Sequence, residues 1–227
     1  FQTSLYPTFK RSFFFKIMYS LKILFFNKNL FLYYIKKLFQ LKISIKKKQV
    51  SFFYDYIFCI GKEGIISDNK INKKTKQIFA NSLDYETSKN YFKKIKKDNF
   101  ILYLDQYLPY HNAYVHRGIP PFVTPEKFYR SLKIFFKFLE KKLKTRIIIS
   151  AHPRSNYKNS ENCFGKREII NFKRTNEFVS RSLAVINYSS TALSFAVIHK
   201  KPMIFYASDE INNSHDAFLV NFLAKQL

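Results

Sequence analysis

From Phe100 onward the chain alternates short apolar runs with longer stretches of helical periodicity, and each of the first three runs stops on polar residues. FILYL (Phe100–Leu104) gives way to Asp105-Gln106, RIIISA (Arg146–Ala151) to His152-Pro153-Arg154-Ser155, and LAVINY (Leu183–Tyr188) to Ser189-Ser190-Thr191. A fourth run, Met203–Tyr206, follows Lys201-Pro202. Runs this short, rich in β-branched and aromatic residues and apolar without alternation, have the pattern of strands buried on both faces. The spacing between them predicts helices over Pro125–Lys144, Thr175–Ser182 and Ala192–His199, the first opened by Thr124 as N-cap with Pro125 in the first turn. Strands alternating with helices form a parallel sheet. The expected fold class is α/β, with a Rossmann-type parallel sheet over 96–227.

Residues 1–95 read as a partial, helix-rich N-terminal domain, acceptor-side or membrane-associated. Ser12–Leu41 is dense in Phe, Leu, Ile and Tyr, but Lys16, Lys22, Lys28, Lys36 and Lys37 interrupt it before the ~20 apolar residues of a membrane span. It reads either as core helices, apolar nearly all round, or as an interfacial segment with its lysines toward acidic head groups. Ser51–Ile60 reads as a buried strand turning at Gly61, Gln77–Ala80 as a short strand, and Ser88–Lys97 as a basic helix. Gly61-Lys62-Glu63-Gly64 lacks the G-K-[ST] ending of a P-loop. The chain opens on Phe1 and stops at Leu227 inside an expected helix, so it reads as a fragment.

The 40 Lys and Arg outnumber the 15 Asp and Glu, a net charge of +25. That excess suits phosphorylated substrates or an anionic membrane surface. No nucleic-acid-binding signature accompanies it, so nucleic acid is not an expected partner. Cys59 and Cys163 form no C-x-x-C pair, which argues against a disulfide scaffold or a structural zinc site and for a reduced, cytoplasmic compartment.

In open α/β sheets ligands bind beyond the carboxyl ends of the strands, where the polar clusters lie. Ser189, Ser190 and Thr191 stand where strand yields to helix and offer hydroxyls and backbone N–H groups to a phosphate; one hydroxyl could equally cap the helix. His152, fixed in direction by Pro153, can donate to a phosphate oxygen or protonate a leaving group, or it can simply bond a neighbouring loop. Arg154 can add a bidentate contact. Asp105 and Asp84 are the candidate catalytic bases, each with a structural alternative. His111 and His116, five apart and without a carboxylate cluster, do not read as a metal pair; His199 and His215 carry no expected role. No metal and no cofactor is expected.

AHPRSNY, NYSSTALSFAV and KKPMIF together resemble the C-terminal domain of bacterial GT-B glycosyltransferases, above all the sialyltransferase and polysialyltransferase type that uses CMP-activated nonulosonic acids. The likeness covers FILYLDQYLPYH to KKPMIFYASDE. In those families an HP motif and an SS motif hold the CMP phosphate, which the resemblance carries to His152, Ser189 and Ser190. It implies an inverting, metal-independent transfer of a CMP-linked acidic sugar to a surface glycan or glycolipid, at the inner face of the cytoplasmic membrane. CDP-glycerol glycerophosphotransferases and UDP-sugar epimerases have related layouts, and an inactive truncated remnant is the non-enzymatic alternative.

Overall fold

The computed structural model describes residues 52–61, 70–92, 98–117, 120–157, 163–214 and 217–227. The Ser12–Leu41 segment, the Lys46-Lys47-Lys48 and Lys93–Lys97 clusters, most of the Gly61–Gly64 stretch and His215 lie outside them. The chain divides into two compact units between Glu86 and Thr87.

In the first unit β1 (Tyr56–Ile60) pairs in parallel with β2 (Lys76–Ala80). The strand expected over Ser51–Ile60 is shorter than predicted and is not buried: Cys59 alone is covered, while Phe58 is 70% exposed. Among the described residues β1 has one partner, all five residues of β2 are exposed, and its apolar side chains find no covering layer. A helix α1 (Leu83–Ser88) precedes the basic stretch expected to be helical over Ser88–Lys97; there Lys89–Tyr91 form a 3-10 turn, and Lys93–Lys97 lie outside the described residues. Ser82 sets the start, because its hydroxyl accepts the Tyr85 N–H at 3.1 Å.

The second unit holds a five-stranded, wholly parallel sheet of β3 (Phe100–Leu104), β4 (Arg146–Ser150), β5 (Ile169–Ile170), β6 (Ala184–Asn187) and β7 (Met203–Phe205). Their spatial order is β5-β4-β3-β6-β7. The chain runs outward from β3 to one edge, then returns to the middle and runs to the other, which is a doubly wound order with its reversal between β3 and β6.

Period-two alternation assigns each face. Ile101 and Tyr103 of β3 join Ile147 and Ile149 of β4 beneath α3 (Pro125–Leu143), while Phe100, Leu102 and Leu104 join Ile148 and Val185 beneath α4 (Thr175–Arg181) and α5 (Leu193–Ile198). The central strand β3 is buried at all five positions. α3 buries Phe128, Tyr129, Leu132, Phe136 and Leu139, each contributing about 1.5–3 kcal/mol. Pro125 sits in its first turn, and Lys144 ends it in a left-handed conformation (φ 48°). Thr124 occupies the cap position but does not cap: its hydroxyl donates to Glu210 at 2.9 Å instead. Glu210 belongs to α6 (Asp209–Asn212), and α7 (Ala217–Gln226) ends the chain. The stretch between β4 and α4 carries the edge strand β5, and the segment after β3 carries α2 (Ala113–Arg117).

Candidate functional site

Five elements converge on a cavity of about 300 Å³ at the carboxyl ends of β3, β4 and β6, directly over the reversal point. Its volume is at the small end of the range for ligand pockets. Asp105, His152, Pro153, Ser189, Ser190 and Thr191 all line it, together with Gln106, His111, Phe172, Thr175 and Phe195. Arg154 is exposed and does not line it, though its backbone serves the site. Asp84 lies on α1 in the other unit and is not part of this cavity.

Asp105 is the knot of the site. It is 4% exposed. Its Oδ1 accepts the Tyr107 N–H at 2.9 Å, and its Oδ2 accepts the His152 N–H at 3.3 Å and the Tyr157 hydroxyl at 2.5 Å. Burial pushes the carboxyl above its ordinary pKa, and these donors pull back against that push. The carboxylate in turn raises the Tyr157 phenol, already raised by burial, so that proton stays on the tyrosine. With both oxygens taken, Asp105 holds the turn after β3 to the turn after β4. Tyr107 accepts left-handed backbone (φ 54°) at this junction, a conformation costing a non-glycine residue about 1–2 kcal/mol.

His152 enters the cavity wall directly after β4. Its Nδ1 accepts the Arg154 N–H at 3.2 Å, so in the neutral ring the proton sits on Nε2. Burial, then His111 and Arg154, lower its pKa from 6.5 to about 4, so the ring is uncharged at neutral pH.

The hydroxyl residues after β6 are organised from two sides. Gln106 accepts the Ser189 N–H at 3.2 Å and donates to the Ser189 hydroxyl at 3.1 Å, bridging the ends of β3 and β6. The buried Asn187 accepts the Ser190 N–H at 2.9 Å, and Ser190 Oγ accepts the Ala192 N–H at 3.3 Å. Ala192, not a serine, holds the cap position of α5. The three hydroxyls therefore precede the helix and edge the cavity, and Ser190 also makes a cap-type bond to the turn that opens it. The Ser190 oxygen is held as an acceptor, which leaves its O–H a donor.

His111 was not expected at the site. The 3-10 turn Leu108–Tyr110 brings it back over the cavity, with its ring 5.4 Å from that of His152. His116 is exposed on α2. His199, at the end of α5, bonds Asn176 of α4 at 2.8 Å. Among the described residues no three His, Cys, Asp or Glu side chains cluster as metal ligands, and no helix is long and apolar enough to cross a membrane. The cavity wall thus carries imidazole and hydroxyl side chains around one buried carboxylate whose oxygens accept from the turns about it. No protein-family model, no curated protein and no solved structure matches this chain.

Proposed function

We propose that the second unit binds the phosphate of a nucleotide-activated sugar, and that the chain is a GT-B-type glycosyltransferase whose donor is a CMP-linked acidic sugar. One observation carries the reading: His152-Pro153 and Ser189-Ser190, 37 residues apart by number, meet in one cavity at the reversal point of a doubly wound sheet. In the transfer, the acceptor oxygen forms its bond to the anomeric carbon as the bond to the phosphate oxygen breaks. CMP leaves with the electron pair, and the configuration inverts. His152 Nε2–H and the serine hydroxyls stabilise the charge that grows on the departing phosphate. Asp105 positions His152 through its backbone. A carboxylate base takes the acceptor proton.

A surface-glycan or glycolipid acceptor would place the chain at the inner face of the cytoplasmic membrane. The outward face of α3 supports this: Ile134 is 65% and Phe138 56% exposed, among the exposed cations Lys127, Arg130, Lys137 and Lys141. Titration calorimetry with CMP, UMP and AMP tests the reading, and CMP should bind most tightly. Preference for UMP would shift it to a UDP-sugar enzyme, CDP-glycerol outcompeting CMP-sugar would shift it to a glycerophosphotransferase, and no binding by the folded chain would end it.

A further inference from the structure

We infer that the part of the cavity next to α4 is a nucleobase subsite, with Phe172 as its stacking wall and Ser150 Oγ as an acceptor that selects cytosine over uracil. The inference rests on the phosphate-binding reading above and names a base contact that the HP and SS motifs leave unassigned.

The alternation of the strands sorts the cavity wall. Leu104, at the end of β3, belongs to the core beneath α4 and α5, and Ala192 and Phe195 pack on that core. Ser150, two residues beyond Ile148 on β4, falls on the same face of the sheet. All four line the cavity, and so does Phe172 from the 3-10 turn Phe172–Arg174 that leads into α4. Phe172 is nonetheless 39% exposed. An aromatic ring left part-open on a cavity wall, beside apolar neighbours, suits a flat partner with an apolar face, which every base has. His152, Ser189 and Ser190 line the same cavity, so base and phosphate contacts share one space.

Counting hydroxyl protons gives the polarity that the edge of the base meets. Thr175 Oγ1 donates to the Phe172 carbonyl at 2.5 Å, which commits its one proton. Ser150 Oγ lies 2.6 Å from the same Thr175 oxygen, so Ser150 is the donor in that pair. The Ser150 proton is thereby held toward Thr175, and its oxygen keeps a lone pair as an acceptor. Ser150 is buried, where two acceptors set face to face are costly. At ring position 4 cytosine carries an amino donor and uracil a carbonyl acceptor. The relay from Ser150 through Thr175 to the Phe172 carbonyl accepts from the first and opposes the second.

The experiment titrates the full chain calorimetrically with CMP, UMP and inorganic pyrophosphate, the last as a probe without a base, beside a melting curve for each variant. The wild type should favour CMP over UMP by about tenfold. Thr175→Val keeps the side-chain shape and removes the oxygen that holds the Ser150 proton. The released hydroxyl can then donate to a carbonyl, so the preference for CMP should vanish or invert. Ser150→Ala, which removes the acceptor itself, should weaken CMP more than UMP and so reduce the ratio. Phe172→Ala should weaken both nucleotides about tenfold and pyrophosphate little. A wild type indifferent between CMP and UMP, or the wild-type ratio in a folded Thr175→Val or Ser150→Ala chain, would overturn the inference while leaving the phosphate site standing. So would unchanged nucleotide affinity in Phe172→Ala, or equal losses for all three probes, which would mark these residues as supports of the fold. A folded wild-type chain that binds neither pyrophosphate nor CMP would instead remove the reading beneath it.

Discussion

Replacing His152 with glutamine should flatten the acid limb of the chain's stability curve. The folded imidazole titrates at about 4 against an ordinary 6.5, held down first by burial and then by His111 and Arg154. A depressed histidine is tolerated neutral and resisted charged. Its contribution is therefore complete above pH 6.5 and is lost as pH falls through the window down to about 4, where the unfolded chain binds the extra proton. At 1.36 kcal/mol per pH unit the ceiling is about 3 kcal/mol. The ring is only half-buried, and solvent screening brings the figure to roughly 1.5 kcal/mol. For a domain of this size that corresponds to roughly 3–8 °C in Tm. Melting curves of wild type and His152→Gln at pH 7.5 and pH 4 measure it: the wild type should lose that much more than the variant on acidification. Saturating pyrophosphate should shrink the difference, because an anion beside the ring favours its protonated form. Parallel pH profiles for the two proteins would mean that His152 sits in a solvent-like setting, and the account of the cavity wall given above would be wrong.

Four other outcomes are expected. Replacing Ser189 and Ser190 together with alanine should cost ~1.5–3 kcal/mol of CMP affinity and only about 1 kcal/mol of stability; combined with His152→Ala the affinity losses should fall short of additive, as paired binding and melting curves would reveal. Glu140 accepts from Arg167 Nε at 2.9 Å and Nη2 at 2.5 Å and also takes the Ile147 N–H, so Glu140→Gln should lower the urea midpoint by about 1–3 kcal/mol equivalent without touching CMP binding. Lys144→Gly should raise stability by about 0.5–1 kcal/mol in the same assay, since only the left-handed backbone at the end of α3 is at issue. Lys127→Glu with Lys141→Glu should weaken co-sedimentation with phosphatidylserine vesicles, and salt should weaken the wild type toward the variant; identical binding at both salt levels would remove α3 from the membrane-facing reading.

The middle of the sheet was legible in the sequence because burial from both sides leaves an unbroken apolar run, as in Phe100–Leu104 and Ile147–Ile149. Where a strand contributes two residues, as Ile169–Ile170 does, no period exists to be read, and β5 was hidden in a stretch that looked like loop. β1 erred the other way: SFFYDYIFCI has the composition of a core strand, and composition cannot reveal that its partner is one exposed strand. At the site, polar residues at strand ends marked Asp105, His152 and Ser189 without any geometry. His111 escaped because a left-handed Tyr107 and one 3-10 turn bring it over the cavity, and no propensity assigns that backbone to tyrosine. The double occupation of Asp105 escaped for a related reason, since its hydroxyl donor Tyr157 is 52 residues away.

That double occupation has a consequence for how such a chain can diverge. A loop that closes on itself can change its sequence alone. The turns bearing Tyr107, His152 and Tyr157 close on one carboxylate instead, so an altered length or direction in any of them is felt at the other two. Descendants of this sequence would exchange those turns as a set or not at all.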